Sequence, residues 1–149
     1  MTHLPVQQLH SRARSLSAKF RQGEGTRYID EAIDLDRQAL ELCPPGHPER
    51  SASLMGLSVH LSTRYKQLGA LWDVDEAIIL VREALTLHPQ GHPDRLSSLS
   101  NLALYLSTRY NQLGTVQNLE EAIILGQEAL TLCPQGHPNR SLSLINLTY

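Results

Sequence analysis

The chain has 149 residues, 41% of them hydrophobic and 19% charged, which fits a folded domain long enough to bury a core and excludes a disordered segment. A formal charge of -2 and a pI near 6.4 give no electrostatic reason to expect nucleic acid or an anionic membrane as partner, and no apolar run approaches the roughly 20 residues that span a bilayer. The amino-terminal stretch lacks the apolar run of a secretory signal, and Cys43 and Cys133, distant in sequence, do not suggest a disulfide framework, so a reducing compartment is expected, cytoplasmic with the nucleus not excluded.

Internal repetition organises everything else. Residues 91–135, slid by one period onto residues 46–90, match at about 27 of 45 positions without a gap. Residues 1–45 carry the same frame more loosely, and residues 136–149 begin a further copy.

The first copy departs towards polarity. It has Arg12 where later copies have Leu57 and Leu102, Gly23 for Leu68 and Leu113, and Asp34 for Ile79 and Ile124. Terminal units of a stacked array need a polar outer face, so residues 4–44 are expected to form an N-terminal cap or divergent repeat. In the second copy a helix is expected over 48–69, then Asp73 as a cap and a second helix over 74–87. The third copy is read likewise. Leu99, Leu102, Ala103, Leu106, Tyr110 and Leu113 recur at steps of three and four, which is helical spacing. Pro93 suits the first helical position and Gly114 a left-handed C-terminal cap. A second helix follows Asn118 as N-cap, its stripe running through Leu119, Ala122, Ile123, Leu125, Ala129, Leu130 and Leu132. Each copy is thus a helical hairpin whose apolar stripes only neighbours can cover. Ser58, Ala103, Ala77, Ala84, Ala122 and Ala129 mark close backbone approach. In the partial copy Leu144 and Leu147 hold stripe positions of a seventh, closing helix, whose uncovered end could serve self-association.

The spacing Ala122, Ala129, Pro134, repeated as Ala77, Ala84, Pro89 and Ala32, Ala39, Pro44, resembles the second helix of the tetratricopeptide repeat. Leu99, Leu102-Ala103 and Leu106 fit its first helix. The period of 45 exceeds the family's usual 34, and the expected aromatic is Asp36, Val81 or Gly126. The longer unit is similar to the extended repeats of the kinesin light-chain type, and more so to fungal arrays often placed before a CHAT peptidase domain. The resemblance implies an all-α right-handed solenoid that works as a protein-protein interaction scaffold, not an enzyme. It allows a second reading, in which the chain is the recruiting arm of a larger protein such as a CHAT-type peptidase. It assigns the partner, a protein or peptide, to a groove of first helices presenting Met55, Val59, Ser62 and Thr63 in one copy and Ser100, Leu104, Ser107 and Thr108 in the next, with Asn101 and Asn146 at one equivalent position.

Three sets of residues could carry more than scaffold. Arg64 and Arg109 could grip an acidic peptide with bidentate contacts, or pair with neighbouring carboxylates; Arg50 and Arg95, which pose the same choice, have Glu49, Asp94, Glu83 and Glu128 to hand. Cysteine and histidine recur in the turns as Cys43/His47, His88/His92 and Cys133/His137, types that ligate zinc. Four ligands would require adjacent turns to converge, whereas glycine, histidine and proline also simply build a turn, so no metal and no cofactor is expected. No oriented base or oxyanion site accompanies the Cys/His pairs, and no catalytic residue is assigned. Trp72, the only tryptophan, breaks the repeat; it is expected to cover the hairpin tip or else to stand exposed as a binding anchor, the first being the commoner case.

Overall fold

The computed structural model describes residues 5–133. Six helices follow in order: α1 (Val6–Arg21), α2 (Arg27–Glu41), α3 (Arg50–Leu68), α4 (Leu71–Thr86), α5 (Arg95–Leu113) and α6 (Val116–Leu132). They form three antiparallel hairpins, each helix packing on its chain neighbours, with a further contact between α1 and α3. The expected seventh helix, with Leu144, Leu147 and Asn146, lies outside the described residues.

Small residues set the spacing between helices. Ala32, Ala39, Ala77, Ala84, Ala122 and Ala129 on the second helices are fully buried, as are Ser58 and Ala103 and their first-copy equivalent Ala13 on the first helices. A side chain no larger than a methyl lets two backbones approach, and large residues fill the space beside it. These are Ile29 and Ile33 on α2, Leu54, Leu57 and Leu61 on α3, and Leu99, Leu102 and Leu106 on α5. The core runs without a break from Ala13 in the first hairpin to Ala122 in the third. α4, flanked by α3 and α5, buries Val74, Ile78, Leu80 and Val81 besides its alanines, whereas α6 fully buries only Ala122, Gly126 and Ala129.

Helix ends differ from expectation at their starts. α3 and α5 begin at arginine, two residues after the proline, because His47 Nδ1 accepts the Glu49 N–H at 3.0 Å and His92 Nδ1 accepts the Asp94 N–H at 3.0 Å. Each histidine thereby closes the turn that holds the proline. α4 and α6 begin three residues before their expected starts at 74 and 119: Ala70 and Thr115 take extended conformations, and their carbonyls accept from the Asp73 and Asn118 N–H groups. Asp73 and Asn118 are therefore inside the first turn and are not caps. Gly69 and Gly114 terminate α3 and α5 with φ of 74° and 71°, a conformation open to glycine at little steric cost.

Some apolar residues stand outside the core. Leu113 and Leu132, assigned to stripes, are exposed. So are Leu68 and the pair Ile79 and Ile124, at 67% and 64%. The polar Gly23 and Asp34 of the first copy therefore replace residues that are surface residues in every copy, and they are no mark of a cap. Only Arg12, exposed where Leu57 and Leu102 are buried, changes a core position to a solvent-facing one.

Candidate partner-binding surface

On α3, Met55, Val59 and Thr63 succeed one another at intervals of four, so they form a single row. Ser100, Leu104 and Thr108 make the equivalent row on α5. Val59 is exposed, Met55, Thr63, Asn101, Leu104 and Thr108 are half-buried, and Ser100 is buried. Thr63 and Thr108 each donate their hydroxyl to the carbonyl four residues back, Val59 at 3.0 Å and Leu104 at 2.9 Å, which leaves their methyl groups to face outward contacts. Met55 lies where the two first helices meet, its sulfur 3.8 Å from the Ser98 hydroxyl of α5. It lines a cleft of about 220 Å³ together with Ser51, Ala52, His88, Asp94 and Ser97. Asn146 lies outside the described residues.

The arginines are committed to the scaffold. Arg64 holds Asp73 through two bonds of 3.0 and 2.8 Å and reaches Asp30 on α2 at 2.9 Å. Its pKa is raised, first by the hydrogen bonds to Asp73. Arg109 pairs with Asp75 on α4 at 2.9 Å. Arg50 and Arg95 pair with Glu83 and Glu128 on the helices that follow them in the hairpin, and each also donates to a carbonyl of the preceding turn, Cys43 or His88. Of the two readings for these side chains, the structure shows the carboxylate pairs.

Sequence reasoning missed a further set. Arg37 of α2 grips Glu76 of α4 with both terminal nitrogens, and Arg82 of α4 grips Glu121 of α6 in the same way. Three pairs recur one period on: Arg37–Glu76 as Arg82–Glu121, Arg50–Glu83 as Arg95–Glu128, Arg64–Asp30 as Arg109–Asp75. Comparing charges at equal offsets in successive copies would have found them.

A second recurring contact joins turn to helix. Ser53 lies within 3.5 Å of Cys43 Sγ and 3.0 Å of His10 Nε2, and the equivalent Ser98 lies within 2.7 Å of His88 Nδ1 and contacts Met55. His88 is 3% exposed, and its rings stacks against His92 with centroids 4.6 Å apart. Burial lowers the His88 pKa, and the neighbouring His92 lowers it further. Neither Cys43 nor Cys133 is in a disulfide, and both are buried. Trp72 does not cover the hairpin tip: it sits in the first turn of α4 with 71% of its surface exposed, because Leu71 beside it takes the inward position. Among the described residues no helix is long and apolar enough to cross a membrane.

The family model of the tetratricopeptide repeat matches residues 95–139, the third hairpin. No curated protein matches the chain. A methionine-substituted variant of Podosopora anserina "kinesin light chain nearly identical TPR-like repeats" superposes with a TM-score of 0.72 at 21% identity, over 97% of this chain and 66% of that one. The chain therefore spans about two thirds of the length of that structure. A second structure of the same Podosopora anserina repeats gives a TM-score of 0.42 at 20% identity, over 99% of this chain and 86% of that one. With six helices, no strand among the described residues, and a fold shared with those TPR-like repeats, the chain is an all-α helical repeat array carrying a tetratricopeptide repeat match in its third hairpin.

Proposed function

We propose that the chain is a protein-binding scaffold which holds an extended segment of a partner along the first helices α3 and α5. Tetratricopeptide repeats in general mediate protein-protein contacts and are not a catalytic family. What carries the reading here is the doubled row of Met55, Val59, Thr63 and Ser100, Leu104, Thr108, beside the half-buried Asn101 and the cleft between the helices. An asparagine amide offers donor and acceptor to a peptide backbone, and the apolar groups beside it offer area to bury. Because Arg64 and Arg109 are engaged with Asp73, Asp30 and Asp75, recognition rests on amide and apolar contacts and not on a grip for acidic residues.

The test is selection of binders from a random displayed peptide library, followed by titration against Asn101→Ala and Leu104→Glu. Both residues are half-buried, so helicity should persist while affinity falls about tenfold or more, a loss of ~1.4 kcal/mol. Affinity unchanged in both variants would move the binding surface elsewhere. Failure to enrich any peptide would reject the scaffold reading itself.

A further inference from the structure

The turn between the second and third hairpins carries a feature its repeat role does not explain. His92 has a structural task, since its Nδ1 closes the turn by accepting the Asp94 N–H, and His47 does the same one copy earlier. His88 has no such excuse. Its equivalents are Cys43 and Cys133, small residues that fill the same buried corner. The imidazole there is almost wholly buried, yet its Nε2 has no hydrogen-bond partner. A buried polar atom left unpaired costs on the order of 1–3 kcal/mol, so its presence calls for an account.

The tautomer follows from the neighbours. The Ser98 hydroxyl donates towards Met55 Sδ, so its oxygen accepts from His88 Nδ1–H. That places the proton on Nδ1 and leaves the Nε2 lone pair bare. An imidazole oriented by a hydrogen bond through its other nitrogen is how metal-binding histidines are held. One ligand atom from each of His88, His92 and Asp94 lies within 4.8 Å of the other two, the single such cluster among the described residues. Asp94 occupies the N-cap of α5 without making a side-chain cap bond, so its exposed carboxylate is not tied to the helix.

We propose that His88, His92 and Asp94 bind one divalent transition-metal ion of the zinc class. Two imidazoles and a carboxylate suit zinc, cobalt or nickel better than calcium or magnesium, which favour oxygen donors throughout. Bonds of about 2.0–2.1 Å in a tetrahedron place ligand atoms roughly 3.4 Å apart. The cluster must therefore tighten by up to somewhat more than an ångström, through rotation of the exposed Asp94 carboxylate and of the half-buried His92 ring. His92 exchanges its amide contact for the ion or moves its ring proton to Nδ1, which keeps the affinity below that of a fully preformed site. Water completes the fourth position from the side of the cleft that His88 and Asp94 line. The other turns lack the set. At the first, Cys43 Sγ faces the Ser53 hydroxyl and Glu49 accepts from Gln7; at the third, Asn139 stands in place of the carboxylate. The expectation of no metal counted ligands across two turns, but three come from one turn. The proposal does not depend on what the first-helix rows bind.

The experiment is titration of the full, metal-free chain with Co²⁺, read by its visible d–d absorption, with Zn²⁺ in competition. One equivalent should bind. His92→Ala should weaken binding about 100-fold and Asp94→Asn about tenfold, at unchanged helicity. His88→Cys restores the residue the other copies carry, so it should fold, and it should add a thiolate-to-cobalt charge-transfer band that the parent chain lacks. The proposal is overturned by the absence of a d–d band, by indifference to His92→Ala and Asp94→Asn, or by a thiolate band already present in the parent. His47→Ala should leave the titration unchanged; a loss of binding there would also overturn it.

Discussion

Asn118 stands where the preceding copy has Asp73, and the difference is visible in the arginine opposite. Arg64 wraps Asp73, which is wholly buried, whereas Arg109 turns to Asp75 and leaves the buried Asn118 Nδ2 without a partner. The first copy solves the same corner with a cation over a ring, Lys19 Nζ lying 5.4 Å from the centre of Tyr28. Asn118→Asp should let Arg109 form the bidentate pair its predecessor has. The expected gain is about 1 kcal/mol, read as a rise of about 3 °C in Tm. An unchanged or lower Tm would show that the Arg109 site cannot reproduce the Arg64 geometry. Arg64 and Arg109 were legible as a periodic pair, but their partners were not. Tyr28, Asp73 and Asn118 differ in type, and a periodic position whose chemistry changes from copy to copy does not show as a motif.

At the junctions between hairpins the copies diverge in a way that bears on stability. α2 meets α3 through a buried hydrogen-bonded pair, Asp36 with His60, while the equivalent residues between α4 and α5 are Val81 and Tyr105, both part of the core. The substitution of a polar pair by an apolar one at equal spacing shows that the junction accepts either, provided both members match. Removing one partner of a buried pair leaves an uncompensated group, whereas replacing both is close to neutral. Asp36→Val alone and His60→Tyr alone should each cost about 3 kcal/mol in urea unfolding, and the double variant should return to within about 1 kcal/mol of the parent. Strictly additive losses would mean that the pair is not coupled. Helix positions were readable because the alanines and leucines keep their steps across copies. Starts were misread at α4 and α6, since a side chain of N-cap type at 73 and 118 was credited with capping while Ala70 and Thr115 provided the extended residue before the helix. The exposed Leu113 and Leu132 were credited to stripes for a related reason: hydrophobicity at helical spacing does not say which flank of the helix a neighbour covers.

Across the described hairpins, the arginine–carboxylate struts between neighbouring hairpins recur after 45 residues, as Arg37–Glu76 and Arg82–Glu121 illustrate. Excising residues 46–90 should therefore join α2 to α5 in register: Arg37 meets Glu121, Arg109 meets Asp30, and Asp36 meets the Tyr105 hydroxyl. That shortened chain should keep its helical circular dichroism and a cooperative melt at a lower Tm, whereas a deletion of about 40 residues should not, because it turns each apolar stripe out of phase. Equal behaviour of the two deletions would show that local helicity, and not the register between copies, holds the array together. The position of Trp72 has an optical corollary. As the one indole of the chain and already open to water, it emits from nearly the same surroundings whether the core is assembled or not. Intrinsic fluorescence is thus a poor witness to unfolding but a sensitive one to anything that settles over the tip of the middle hairpin.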